Sequence, residues 1–85
     1  MEIAYRDNPV QIFLDRLAEI LEVPSIGLDD DFRLAPLWSS LTGFSVMVML
    51  DLEYGVGLSV EELKVAKTVR DLAEKVGVFA AERRP

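Results

Sequence analysis

Histidine and cysteine are both missing from this 85-residue chain. Without an imidazole or a thiolate, disulfides, cysteine nucleophiles, zinc centres built on those ligands and histidine acid–base catalysis are excluded. Any reactive thiol has to arrive on a cofactor. Long apolar runs are missing as well. The longest, Val46 to Leu50, falls far short of the ~20 residues that span a bilayer. The opening Met1-Glu2-Ile3-Ala4-Tyr5 has neither the basic region nor the apolar core of a signal peptide, so a cytoplasmic protein with no membrane insertion is expected. Basic residues are scarce where acids gather. From Leu28 to Glu62 there are seven acids (Asp29, Asp30, Asp31, Asp51, Glu53, Glu61, Glu62) against Arg33 alone, and the other eight acids and eight bases cancel, so this stretch holds the whole formal charge of −6. Such a field steers basic partner surfaces toward the segment and repels nucleic acid, while also keeping a small domain soluble.

What is present is apolar and helically spaced. With 51% hydrophobic residues, the chain can fill one small core but has no room for a deep enzyme cleft beside it. One domain over residues 1–85 is expected, with its core in about 8–77 and short tails. Asn8 is a good cap and Pro9 suits a first helical position, where its missing N–H is no loss. Val10, Phe13, Leu14, Leu17, Ile20 and Leu21 then recur at spacings of three and four, an apolar stripe that Pro24 closes. The connection from Pro24 to Ser39 carries Ile26, Leu28, Phe32, Leu34 and Leu37. That is too apolar for free coil, so an ordered loop covering one end of a bundle is expected. A second helix is predicted from about Ser40 to Tyr54, closed by Gly55. Ser59-Val60-Glu61-Glu62 fits a capping box for a short third helix to about Ala66. Thr68 opens a fourth, with Val69, Leu72, Ala73 and Val76 as its apolar stripe and Gly77 as its end. The tail from Val78 to Pro85 can add a turn, and its closing charges read as solvated. No strand-like alternation and no repeat is found, so the fold class is an all-α four-helix bundle with three longer helices and one short one.

The second helix is the informative one. Trp38-Ser39-Ser40-Leu41 places a serine hydroxyl at its N-terminus, where backbone N–H groups lack intrahelical partners and the dipole is positive; a phosphate attached to Ser40 is stabilised there, and a serine also serves there as a plain cap. The consecutive Val46, Met47, Val48, Met49 and Leu50 make the helix apolar nearly all round. Either Met47, Val48 and part of Phe44 form a sticky surface near Ser40, or the loop from Leu28 to Leu37 covers them. Gly43 weakens the helix interior by about 1 kcal/mol relative to alanine, and it either admits a close neighbour or is a tolerated weak spot. Trp38, the single tryptophan, either packs over the bundle end or anchors a partner.

The ordered set Leu28-Asp29-Asp30-Asp31-Phe32, Ser40-Leu41, Leu50-Asp51-Leu52-Glu53-Tyr54-Gly55-Val56, Glu62-Leu63, Thr68-Val69 and Asp71-Leu72 resembles the acyl carrier protein family over roughly residues 10 to 76. The resemblance implies an acyl-carrier-like four-helix bundle without catalytic residues. A 4′-phosphopantetheine arm from coenzyme A would be attached to Ser40, the position matching the serine of the family's Asp-Ser-Leu motif. Ser39 stands where the family usually has aspartate. The implied partners are a phosphopantetheinyl transferase and acyl-transferring or condensing enzymes of fatty-acid, polyketide or related biosynthesis, with an acyl thioester as cargo and the protein a monomer. The family's recognition helix is the second, which here offers Trp38, Ser39, Leu41, Phe44, Met47, Val48 and Asp51 to partners, more by apolar contact than by charge. Phe32, Phe44, Val46, Met49, Leu63 and Val65 either line a space for the acyl chain or are ordinary core. Two other readings stay open: a helical interaction domain without the arm, in which Ser39-Ser40 only caps, and a carrier of amino-acid or aryl groups. No group of side chains in the sequence suits an independent enzyme.

Overall fold

A computed structural model of the protein describes residues 8–79. Among these residues the all-α, four-helix arrangement expected from the sequence is the one found: α1 (Pro9–Leu21), α2 (Ser40–Tyr54), α3 (Val60–Val65) and α4 (Val69–Val76), of 13, 15, 6 and 8 residues, with one 3₁₀ turn, Phe32–Leu34, in the first connection. Every helix starts where a short polar side chain accepts a backbone N–H left over at the N-terminus. Asn8 caps α1, Ser39 caps α2, Ser59 caps α3 and Thr68 caps α4, the last two as full capping boxes with Glu62 and Asp71. Gly55 and Gly77 close α2 and α4 in the left-handed conformation. The end of α1 differs from expectation. Glu22 itself takes the left-handed conformation (φ 58°) and terminates the helix before Pro24 is reached.

The stripes expected for α1 and α4 meet in one core. Phe13, Leu17 and Leu21 of α1, Val46 and Leu50 of α2, and Val69, Leu72 and Ala73 of α4 are fully buried. Phe13 also meets Tyr54 edge-on at 5.8 Å between ring centroids. Phe32 drops from the long connection into this core, with Ile26 and Leu28 partly buried beside it. The expectation that the whole connection covers the bundle end is corrected at Leu34 and Leu37, which stay largely exposed. A 3₁₀ turn has three residues per turn, so with Phe32 anchored inward Leu34 points away from the core; Leu37 lies beyond the turn. Val78 is buried and so contributes to the core just after Gly77; the closing charges Glu82, Arg83 and Arg84, expected to be solvated, lie outside the described residues.

The run Asp29-Asp30-Asp31 ties the connection in place. Asp29 pairs with Arg70 at 2.9 Å. Asp30 accepts the Gly27 N–H at 2.7 Å. Asp31 caps the 3₁₀ turn by accepting the Arg33 N–H at 2.9 Å, and that bond is the main reason its carboxyl titrates below the usual range. The backbone carbonyls of Asp30 and Leu28 take the N–H groups of Val69 and Arg70, at 2.9 and 2.7 Å, which would otherwise be left over in the first turn of α4. Acids that look like a steering field in the sequence are therefore also structural, Asp30 and Asp31 as ligands of the backbone and Asp29 as an ion-pair partner. With Glu62 in its capping box and Glu53 pairing with Arg16 at 3.5 Å, Asp51 and Glu61 are the two of the seven that make no such bond among the described residues.

Candidate functional site

The start of α2 separates its two serines. Ser39 is the cap: its Oγ accepts the Thr42 N–H at 3.3 Å and lies 3.2 Å from Thr42 Oγ1. Thr42 Oγ1 donates to the Leu37 carbonyl at 2.9 Å. With the threonine proton committed to that carbonyl, the Ser39 hydroxyl must be the donor to Thr42 Oγ1. Ser39 is thus fully engaged. Ser40, the first helical residue, is exposed and its hydroxyl makes no hydrogen bond within the described residues. The capping function expected of this serine pair falls on Ser39, leaving Ser40 available for chemistry.

Beside Ser40 opens a cleft of about 370 Å³ between α2 and α3. Its α2 wall is made by Ser39, Ser40, Gly43, Phe44 and Met47, its opposite wall by Val60, Leu63 and Lys64, and its end by Trp38 and Arg33 from the connection. Trp38 stands edge-on to the buried Phe32, 5.4 Å between centroids, so it packs rather than projects. Gly43 has a physical reason. A Cβ there would meet Trp38 Cη2 at 3.2 Å and Leu63 Cδ2 at 3.4 Å. The close neighbour that Gly43 admits is the indole of its own chain.

The residues singled out for an acyl space divide three ways. Phe44 and Leu63 line the cleft. Phe32, Val46 and Met49 lie in the packed core, and Val65 is exposed on α3 outside the cleft, which corrects its assignment. Arg33, Val60 and Lys64 belong to the cleft without having been singled out for it. Arg33 had one visible signal, as the only base in the acidic segment; for Lys64 and Val60 none existed, because the register of α3 against α2 is a tertiary matter.

The outer face of α2 is apolar and uncovered. Leu41 (75% exposed), Phe44 (61%), Val48 (38%) and Leu52 (79%) follow one another at helical spacing from the Ser40 end to the C-terminus of the helix. The loop from Leu28 to Leu37 does not cover them. Met47 leaves this surface, turning inward against the core and into the cleft. Leu52 joins it unanticipated. Asp51 is exposed nearby.

Among the described residues no group of three or more acids, histidines or cysteines could hold a metal ion, and no helix is long and apolar enough to cross a membrane. The family model described as "Phosphopantetheine attachment site" matches residues 11–76. No curated protein and no solved structure matches the chain.

Proposed function

The chain belongs to the phosphopantetheine-attachment family, and from that premise we propose that it is an acyl carrier protein whose 4′-phosphopantetheine is attached at Ser40. The observation that carries this reading is the free, exposed hydroxyl of Ser40 at the first position of α2, on the wall of a mostly apolar cleft. In the attachment step a phosphopantetheinyl transferase with Mg²⁺ takes the proton from Ser40 Oγ, which forms a P–O bond to the β-phosphorus of coenzyme A as 3′,5′-ADP leaves. Ser40 at N1 lies among the helix's leftover N–H donors, which favour the resulting negative charge. When bound, the arm supplies a thiol that holds acyl groups as thioesters and, by tethering, raises their effective concentration at partner sites.

In this reading the chain is a substrate of other enzymes and contributes no catalytic residue. It works as a monomer in the cytosol, presenting cargo to fatty-acid, polyketide or related biosynthetic enzymes. Leu41, Phe44, Val48 and Asp51 run down the outer face of α2 from Ser40, and partners dock there with apolar contact dominant, because Asp51 is the one acid of that group; Trp38, Ser39 and Met47 border Ser40 from the cleft side and shape the site rather than project from it. The uncovered apolar face of α2 also supports a second reading, a docking domain that never receives an arm.

Intact mass after incubation with coenzyme A, Mg²⁺ and a broad-specificity transferase tests both. A gain of one phosphopantetheine that is lost in Ser40→Ala and kept in Ser39→Ala is the expected result. A gain lost only in Ser39→Ala moves the arm one residue back, and no gain with several transferases favours the docking domain.

A further inference from the structure

The cleft has an electrostatic character opposite to that of the chain. The protein carries a formal charge of −6, yet the ionisable residues lining the cleft are Arg33 and Lys64, with no carboxylate among its lining residues. Arg33 is held in place rather than swinging free. Its Nε meets Asp31 Oδ1 at 3.3 Å, its Nη1 donates to the Lys64 carbonyl at 3.3 Å, and its guanidinium lies 5.7 Å over the Phe32 ring. A guanidinium has five N–H donors, so these two bonds leave three uncommitted among the described residues, on a pre-positioned group. Asp31 engages that group at Nε, through the same oxygen that takes the Arg33 backbone N–H. Lys64 makes no ion pair with any described carboxylate, although it follows Glu61 and Glu62 on the same helix.

We propose that Arg33 and Lys64 together hold the phosphodiester that joins the arm to Ser40, pinning the root of the arm over the apolar floor formed by Trp38, Phe44 and Leu63. The proposal rests on the carrier reading above. Three considerations favour this occupant over a free anion. The domain's overall field repels diffusing anions. A phosphodiester on Ser40 is tethered to a residue that lines the same cleft, so its local concentration is set by the covalent bond. A fixed guanidinium beside an ammonium also matches the oxygens of a phosphate diester, the first offering forked donors and the second a point charge. Fixing the root shortens the free part of the arm and biases the acyl end toward the cleft side of α2.

The test compares apo and holo forms of the full chain, each confirmed by intact mass, for the wild type, Lys64→Gln, the double variant Arg33→Gln/Lys64→Gln, and the control Lys67→Gln, whose lysine lies outside the cleft. Thermal melting and the ³¹P resonance of the diester are read at about 20 mM and about 500 mM salt, a range that takes the screening length from ~20 Å to under ~5 Å. The expected result is a holo form that melts above the apo form at low salt. That difference should be at least halved in Lys64→Gln, absent in the double variant and intact in Lys67→Gln, with the ³¹P line narrowing and shifting in step. Because each variant is compared with its own apo form, a general loss of stability on removing Arg33 cancels.

Equal holo-minus-apo differences in Lys64→Gln and Lys67→Gln would overturn the proposal, as would a difference that salt does not reduce. So would an effect of Lys64→Gln seen only when the thiol carries a dicarboxylic acyl group such as succinyl and not with the bare arm, since the two cations would then be reading cargo. Failure of every variant, wild type included, to gain the arm is a different outcome and refutes the carrier reading itself.

Discussion

Two adjacent serines with different duties give the sharpest prediction. Ser39 satisfies the Thr42 N–H and orients a hydroxyl chain that ends on the Leu37 carbonyl, whereas the Ser40 hydroxyl makes no hydrogen bond among the described residues. Ser39→Ala removes the cap, which costs about 1 kcal/mol in typical helices, within a range of about 0.5 to 2. The 3.3 Å separation to Thr42 N is long for such a bond and places the direct cost at the lower end. Loss of the donor to Thr42 Oγ1 restores part of it. About 1 kcal/mol is therefore the expected total, which in a domain of this size lowers Tm by roughly 4–8 °C. Ser40→Ala should change stability by less than about 0.5 kcal/mol, because it removes an exposed hydroxyl and places a good helix former at the first helical position. Ser39→Asp should retain the cap, since aspartate is as good there as serine, and should be modified at least as fast as the wild type by a transferase used to the Asp-Ser-Leu pattern. The assay is urea unfolding followed by the fluorescence of Trp38, paired with intact mass after transferase treatment. The reasoning is refuted if Ser40→Ala is the destabilised variant, or if Ser39→Ala unfolds at the wild-type midpoint.

Three further outcomes follow from the packing and the caps. Gly43→Ala should be close to neutral in the same urea assay, because the ~1 kcal/mol of helix propensity gained is offset as the half-buried Trp38 ring gives way, while Gly43→Val should cost about 1–3 kcal/mol by overpacking against Trp38 and Leu63; a stabilised Gly43→Val would show that the indole is not held there. Phe32→Ala should cost about 3–5 kcal/mol, since a fully buried ring is deleted from the core, and a loss below about 1 kcal/mol in the urea midpoint would mean that the connection does not pack as described. Backbone N–H donors of the caps hold the carboxyls of Glu62 and Asp71 below their ordinary values of 4.5 and 3.8, so their stabilisation is complete above those values and lost as pH falls through the lower folded ones. Tm of the wild type should therefore fall more steeply below pH 4.5 than Tm of Glu62→Gln/Asp71→Asn, and parallel curves would refute the linkage.

The sequence by itself determined the helices, because their signals are local. Ser59 with Glu62, Thr68 with Asp71, Asn8 with Pro9, and the glycines after Tyr54 and Val76 each act within a few residues, and the stripes of α1 and α4 needed only a period to be read. The family was legible in the spacing of Ser40-Leu41 against the flanking acids and hydrophobics. Where the chain is apolar nearly all round, pattern gave no direction. Only the tertiary structure decided that Met47 turns inward while Leu41, Phe44, Val48 and Leu52 stay out, that Leu34 and Leu37 stay exposed while Phe32 enters the core, and that Ser39 rather than Ser40 bears the cap. The cleft was equally out of reach, since Arg33 and Lys64 stand 31 residues apart and meet only because α3 packs across the connection. A contact between distant residues depends on how whole helices settle against one another, and no periodicity along a single stretch of chain encodes that register.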